Sequence, residues 1–223
     1  MPIQIRNGDC ISFRYEPTYL ADCPDLRTNF KRDIKSQLCC LNQKYIYSDI
    51  NLDGGNIVFS PSKKKAVISD RVFTENPEYR QKQLLYELEQ LLKTEVIIIP
   101  SLKSDMTGHS DGMIRFVDET TVVGNGLPFK NGLEQRIKRE LKSRGMCVID
   151  LPYYSSSCGS AVGCYLNFLD TENCLFLPVF GDKMDRQAFD MAKQVFSKEV
   201  VPVRVDEIAE EGGGLNCISW EVK

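Results

Sequence analysis

The sequence predicts an α/β domain assembled from a repeated strand–strand–helix–strand unit. Three copies of this unit follow one another along the 223 residues, and no low-complexity linker separates them. The glycines that open the units, Gly55, Gly112 and Gly163, recur at intervals of about 50 to 57 residues, a period that is typical of propellers and repeat arrays. We therefore expect one circular domain in which the loops at one end converge on a central site.

Hydrophobic periodicity and turn residues define the elements of each unit. The first unit is predicted to have a hairpin at 56–59 and 65–69, a helix at 76–93 and a strand at 95–99. The second has a hairpin at 113–117 and 120–123, a helix at 131–143 and a strand at 146–151. The third has a hairpin at 164–169 and 174–179, a helix at 185–197 and a strand at 200–205.

Composition and charge narrow the classes of function. The chain is 42% hydrophobic and 26% charged, which is typical of globular proteins. A net charge of −3 gives no general attraction for nucleic acid, and we interpret Lys63–Lys65 as a charged hairpin tip. The sequence contains neither an apolar run of the ~20 residues needed to cross a bilayer nor an export signal. We therefore expect a cytoplasmic protein without nucleic-acid or membrane partners.

The nine cysteines are expected to be reduced thiols, because their number is odd and no export signal precedes them. Cys10, Cys147, Cys164 and Cys174 lie in apolar runs and are expected in the core. The sequence contains no Cys-x-x-Cys pair, and the adjacent Cys39 and Cys40 cannot readily form a tetrahedral site without other ligands. No metal site is predicted.

Two glycine-flanked segments carry the candidate chemistry. His109 is the only histidine, and Asp111 follows two residues later, so an imidazole acid or base would have to be His109. A second glycine cluster presents Cys217, and pairing with His109 would favour its thiolate. An alternative is that His109 is structural and that Cys217 is a buried strand thiol, since 218–221 reads as a strand.

Asp53, His109 and Asn167 lie near the starts of the three units, where they could meet at a pseudo-symmetry axis. Asn167 and Asn216 are weaker candidates for ligand contact. Trp220 is expected to contribute to core packing.

Together these segments resemble the agmatine deiminase and bacterial-type peptidylarginine deiminase family. The resemblance covers essentially the whole chain and rests on four motifs in order: 52–56 (LDGGN), 108–112 (GHSDG), the pair 165–168 (YLNF) and 177–180 (LPVF), and 212–217 (GGGLNC). It implies the pentein fold of guanidino-group-modifying enzymes, an αβ propeller of five strand–strand–helix–strand modules.

The resemblance also implies roles for individual residues. Cys217 would attack the guanidinium carbon, and His109 would protonate the departing ammonia and then activate water. Asp111 would bind two guanidinium N–H groups, and Asn167 would contact the substrate. Asp53, at a position where the family commonly has Glu, would orient His109 or support the substrate. Neither a metal nor an organic cofactor is implied.

The resemblance further implies an incomplete propeller at the N-terminus. Family members carry a Trp-x-Arg-Asp segment that supplies a further carboxylate, and this chain begins just past the corresponding position. We expect one domain, 1–223, with a partial module at about 1–50 and modules at about 51–105, 106–160 and 161–223. A missing blade would expose strand edges, which favours a homo-oligomer. It would also leave this chain with weak guanidine hydrolysis or none.

Two function classes stay open. The first is a deiminase that converts agmatine to N-carbamoylputrescine and ammonia, or peptidyl-arginine to peptidyl-citrulline. The second is a non-catalytic pentein remnant that acts as a binding module. An acyl-transferring Cys-His hydrolase is disfavoured, because Asp111 would face a developing oxyanion.

Overall fold

The computed structural model describes residues 2–27, 44–103, 105–126, 132–155 and 159–220. Within these ranges, twelve strands form four three-stranded sheets. The strands are β1 (Ile3–Gln4), β2 (Cys10–Arg14), β3 (Tyr45–Asn51), β4 (Ile57–Phe59), β5 (Lys65–Ser69), β6 (Glu95–Ile99), β7 (Ile114–Phe116), β8 (Thr121–Gly126), β9 (Cys147–Pro152), β10 (Leu169–Asp170), β11 (Cys174–Val179) and β12 (Glu199–Arg204).

Every sheet has the same topology. Its first two strands are antiparallel, and its second and third strands are parallel. Parallel neighbours require a crossover connection. In the described residues of 2–51, β1, β2 and β3 form one such sheet, and the partial module expected at about 1–50 stays a prediction.

Five α-helices lie in the described ranges: α1 (Arg71–Glu75), α2 (Gln81–Leu92), α3 (Leu133–Ser143), α4 (Met184–Val195) and α5 (Asp206–Glu210). The crossovers of the second, third and fourth sheets contain α2, α3 and α4. These helices bury residues at a spacing of four, so one face of each packs on the core; the buried sets are Leu84, Leu88 and Leu92, then Leu133, Ile137 and Leu141, then Ala188 and Ala192. None of the described helices combines the length and apolar composition needed to cross a bilayer.

The hydrophobic core runs from one unit into the next. One cluster joins Ile11 of β2 to Ile68 of β5 and Leu84 of α2. The next two clusters join the second sheet to the third and the third sheet to the fourth in the same way. Because each unit buries its apolar surface against a neighbour, the loops at the ends of the sheets are held in fixed relative positions.

The predicted helix 76–93 is interrupted in the structure. Its first residue, Asn76, is the C-cap of α1, and α2 begins only at Gln81. Pro77 has no N–H to continue a helix. The fully buried Asn76 side chain instead donates to the carbonyl oxygens of Val72 and Asn51, both at 2.8 Å. It also accepts the N–H of Asn51 at 2.7 Å and so ties the first and second sheets together.

Two strand predictions were wrong. The predicted strand 164–169 is mostly a turn, and only Leu169–Asp170 pairs with β11. Gly163 initiates the turn at φ +90°, and a Cβ there would lie 2.1 Å from the carbonyl oxygen of Tyr154. The segment 215–218 is also a turn, so Cys217 is exposed and not a buried strand thiol. Trp220 packs on Cys10, and its indole N–H donates to the carbonyl of Pro2 at 2.9 Å.

Three predicted positions lie outside the described residues. These are the Cys39–Cys40 pair, the helix start at Asn131 and the strand end at Glu221.

Candidate active site

The structure brings Asp53 and His109 into direct contact. Each immediately precedes a 3-10 turn, Gly54–Asn56 or Ser110–Gly112, that leads towards the first strand of a unit. Their backbone angles match, with φ −80° and ψ 142° at Asp53 and φ −70° and ψ 144° at His109. His109 Nε2 lies 2.7 Å from Asp53 Oδ2. Residues at equivalent positions of two units therefore form one hydrogen-bonded pair.

Buried polar side chains hold the two turns against each other. Asn56 Oδ1 accepts the N–H of Ser69 at 2.9 Å and the N–H of Ser110 at 3.2 Å. Ser69 Oγ donates to the carbonyl of Gly108 at 2.7 Å. Since Asn56, Ser69 and Ser110 are buried, these bonds are protected from water and fix the backbone on both sides of the pair.

The carboxyl group of Asp111 is buried beside this pair. Its Oδ2 accepts the Nδ2 of Asn216 at 2.7 Å, and it is 4% exposed. Burial raises the pKa of Asp111, while the neighbouring His109 and Arg115 charges oppose that rise. A carboxylate in such a buried position forms charge-assisted hydrogen bonds with a cationic ligand that has N–H donors.

Gly55 lies against both groups. A Cβ at this position would be 2.6 Å from His109 Nδ1 and 3.2 Å from Asp111 Oδ2. Glycine is thus the residue that allows the imidazole and the carboxyl group to share this side of the site.

The protonation of His109 is set by competing effects. Burial lowers the pKa of His109, but the hydrogen bond and charge of Asp53, together with the charges of Asp111 and Asp105, outweigh it and raise the pKa above 6.5. A carboxylate accepts a hydrogen bond, so Nε2 carries the proton directed at Asp53. Nδ1, next to Gly55, is then the nitrogen available for proton transfer.

Asn167 holds the turn that carries Cys217. Its Oδ1 accepts the backbone N–H groups of Asn216 at 2.9 Å and Cys217 at 3.3 Å. Its Nδ2 donates to Cys217 Sγ at 3.3 Å. A Cβ on Gly214 would lie 2.6 Å from Asn167 Oδ1, so the glycine-rich sequence permits this close approach.

The sulfur of Cys217 hydrogen bonds to Asn167 in the described structure, whereas His109 bonds to Asp53. Although Cys217 is exposed at the cleft, its sulfur is partly desolvated there; this desolvation and the nearby Asp111 charge raise the pKa of Cys217, and the Gly214 and Asn167 hydrogen bonds and the Arg115 charge oppose the rise. The expectation that pairing with His109 favours the thiolate stays a prediction. A positive charge placed near Asp111 would lower the pKa of Cys217.

One cleft of about 790 Å³ joins four of the five predicted site residues, namely His109, Asp111, Asn167 and Cys217. Asp53 lies behind His109 and lines a small adjoining crevice. The cleft has apolar walls that include Met113, Ile114, Leu133, Ile137 and Val148. Its carboxyl groups besides Asp111 belong to Asp105, Glu134 and Glu211, and its ammonium group, that of Lys138, binds Glu134 and Asp150.

Sequence reasoning missed several contacts around the site. Arg115 Nη1 donates to the carbonyl of Phe168 at 3.0 Å, and Tyr19 donates to Asp53 at 2.7 Å. No motif marks either residue, because each acts at a distance of 34 or more residues along the chain. Cys164, expected in the core, lies in the cleft wall with a pKa raised to about 12 by burial.

Within the described ranges, no group of three or more His, Cys, Asp or Glu residues is arranged to hold a metal ion.

Solved structures similar to this chain include agmatine deiminases. A substrate-bound C315S agmatine deiminase of C. jejuni matches with a TM-score of 0.76 and 21% identity, over 94% of this chain and 66% of that one. An agmatine deiminase of Enterococcus faecalis matches with a TM-score of 0.78 and 18% identity, over 96% of this chain and 70% of that one. The likeness confirms the fold that the sequence resemblance implied.

Sequence relatives agree with this likeness. A Streptococcus mutans protein named "Putative agmatine deiminase" is 33% identical over 99 residues, which are 37% of this chain and 27% of that protein. The chain spans about two thirds of the length of the solved relatives. The model of the Porphyromonas-type peptidyl-arginine deiminase family matches residues 25–222. This chain therefore belongs to the Porphyromonas-type peptidyl-arginine deiminase family.

Proposed function

We propose that this protein hydrolyses guanidines through a cysteine nucleophile and releases ammonia. The observation that carries the proposal is the convergence of a thiol, an imidazole paired with a carboxylate, and a second buried carboxyl group on one cleft. Family membership and the fold of agmatine deiminases support the same reaction class.

The chemistry of a guanidinium explains why each group is needed. Its central carbon is a weak electrophile, so hydrolysis requires a strong nucleophile and an acid for the leaving ammonia. Asp111 accepts N–H groups of the guanidinium in charge-assisted hydrogen bonds. The bound cation lies near the thiol and offsets the effect of Asp111 on Cys217, which lowers the pKa of the thiol as the substrate binds.

The reaction then proceeds in two steps. Cys217 releases its thiol proton to solvent as the substrate binds, its sulfur forms a bond to the guanidinium carbon, a C–N bond breaks, and ammonia leaves with a proton from His109 Nδ1. A water molecule gives a proton back to Nδ1 and attacks the same carbon. The C–S bond breaks, and the ureido product and the free thiol are released. Asp53 stabilises the imidazolium that exists before ammonia leaves and forms again when water gives up its proton, and Asn167 holds the sulfur in place.

Agmatine is the substrate that the cleft charges favour. Asp105, Glu134 and Glu211 line the cleft, and its Lys138 is already engaged by two carboxylates. Agmatine has an ammonium at the end opposite its guanidinium, and these carboxylates complement it. A peptidyl-arginine would place a neutral backbone there.

Ammonia release from agmatine and from an arginine-containing peptide tests the proposal, and calorimetry measures binding of the same ligands. Asp111→Asn replaces an acceptor of N–H groups with an amide that also donates, and it should weaken agmatine binding about ten- to a hundredfold. Asp49→Asn, which removes an exposed carboxylate of β3, is the charge-matched control.

Turnover of the peptide but not of agmatine would refute the substrate choice. Binding without turnover of either compound would favour a non-catalytic binding module. Unchanged affinity in Asp111→Asn would make that carboxyl group structural.

A further inference from the structure

The pair formed by Asp53 and His109 has a third member, Tyr19. The hydroxyl of Tyr19 lies 2.7 Å from Asp53 Oδ2, the oxygen that also bonds His109 Nε2 at 2.7 Å. The ring of Tyr19 contacts the imidazole edge-on, with centroids 6.4 Å apart and planes at 68°. Tyr19 reaches the site from a 3-10 turn, Thr18–Leu20, that follows β2 of the first sheet.

The direction of these hydrogen bonds follows from their chemistry. Burial first, and then the charge of Asp53, raises the pKa of Tyr19 above its ordinary value, so its hydroxyl keeps its proton at neutral pH. That single proton is donated to the carboxylate of Asp53. The hydroxyl of Tyr15, 3.2 Å from that of Tyr19, must then be the donor in its own bond. The hydroxyl of Tyr15 therefore donates to that of Tyr19, and the hydroxyl of Tyr19 donates to Asp53.

We propose that Tyr19 is a positioning residue that fixes the Asp53 carboxylate and weakens its hold on the proton of His109. The inference rests on the proposed function, in which His109 gives a proton to ammonia and takes one from water. Tyr19 acts through Asp53 and has no contact with the reacting atoms in this role.

The physical reason is that two hydrogen bonds share the negative charge of one carboxylate oxygen. A carboxylate oxygen that accepts a second hydrogen bond is a weaker acceptor for the first, so Tyr19 competes with His109 for Asp53 Oδ2. Without this competition, Asp53 would hold the imidazolium more tightly. The base needed for the second step would then form only at higher pH.

Several charged groups surround the imidazole and must be considered together. Asp53, Asp111 and Asp105 each favour its charged form. Arg71 and Glu75, from the second unit, line the crevice behind it and bond each other at 2.8 Å. Tyr19 is the group among these that bonds Asp53 without carrying charge itself. Its removal therefore changes the hydrogen bonding of the pair while leaving the net charge unaltered.

Because His109 is the only histidine, nitrogen NMR of the intact protein reads its titration without ambiguity. Tyr19→Phe removes one oxygen atom and keeps the ring contact. Loss of this hydrogen bond should raise the pKa of His109 by roughly half a unit to one unit. Tyr86→Phe, at a side chain on α2 that is 61% exposed, is the matched control and should leave the pKa unchanged.

The enzyme assay supplies a second readout. In Tyr19→Phe, kcat should fall at neutral pH and recover as pH rises, whereas KM should change little because Asp111 is untouched. If Tyr19 were only structural, Tyr19→Phe would lower the Tm of unfolding but would change neither the pKa of His109 nor the pH dependence of kcat.

An unchanged or lowered pKa of His109 in folded Tyr19→Phe would overturn the inference. If that variant does not fold, Tyr15→Phe replaces it and should raise the pKa by a smaller amount; no rise there overturns the inference equally. Absence of ammonia release from the unmodified protein would refute the proposed function, and the NMR titration would still report on Tyr19.

Discussion

Gly55→Ala should disable the site while leaving the fold in place. The new Cβ would lie 2.6 Å from His109 Nδ1, whereas ordinary contacts begin at 3.4 Å, so the imidazole must retreat by about 0.8 Å. The methyl group would also press on Asp111 Oδ2, at 3.2 Å. A displacement on the order of 1 Å in a reacting group costs roughly a hundredfold in rate. We expect a loss of that size in ammonia release from agmatine.

Gly54→Ala is the matched control for this prediction. Gly54 belongs to the same 3-10 turn, and a Cβ there would meet no atom within 4 Å. This variant should keep its activity and be as stable as the parent, or slightly more stable, because alanine restricts the unfolded chain. The NMR signals of His109 should shift in Gly55→Ala and stay in place in Gly54→Ala. Activity within threefold of the parent in folded Gly55→Ala would refute the argument that the imidazole is rigidly placed.

Two further predictions concern the nucleophile and its support. A haloacetamidine carries the positive charge of a guanidinium, so it should alkylate Cys217 faster than the exposed Cys23 and Cys147, as read by peptide mass spectrometry; neutral iodoacetamide should not show this preference. Equal labelling of the three thiols by the amidine would contradict the assignment of Cys217. Asn167→Ala removes three hydrogen bonds to the turn of Cys217 and should lower the free energy of unfolding by about 1–3 kcal/mol, with loss of the amidine preference. Asn173→Ala, at an exposed loop position, should change neither the free energy of unfolding nor the amidine preference. Chemical denaturation measures the free energy of unfolding of both variants, and an equal value for the two would contradict the prediction.

The parts of the fold that sequence predicted are those with a local periodic signal. Leucines at a spacing of four residues define α2, and continuous apolar runs define β5 and β6. These patterns reflect burial of one helix face or of both strand faces. The equivalent positions of Asp53 and His109 in successive units also predicted that these residues could meet.

The parts that sequence missed depend on single long-range contacts. Asn76 ends a helix because its side chain bonds Asn51, which is 25 residues away. The turn at Cys217 depends on Asn167, 50 residues earlier, and local apolar residues made the segment look like a strand. Tyr19 contributes to the site through a hydroxyl whose partner lies 34 residues along the chain. No periodic pattern encodes such contacts.

The charges around the cleft indicate how a bound cation would affect the ionisation of Asp111 and Cys217. Burial raises the pKa of both Asp111 and Cys217, and the charge of Asp111 raises that of Cys217 further. Desolvation therefore disfavours the charged form of each group. A guanidinium placed beside them favours both anions at once, because its positive charge stabilises the carboxylate that binds it and the thiolate that attacks it. In the proposed reaction, the guanidinium of the substrate supplies this positive charge. Alkylation of Cys217 by a neutral reagent should consequently accelerate towards alkaline pH, whereas a cationic substrate or probe reacts near pH 7.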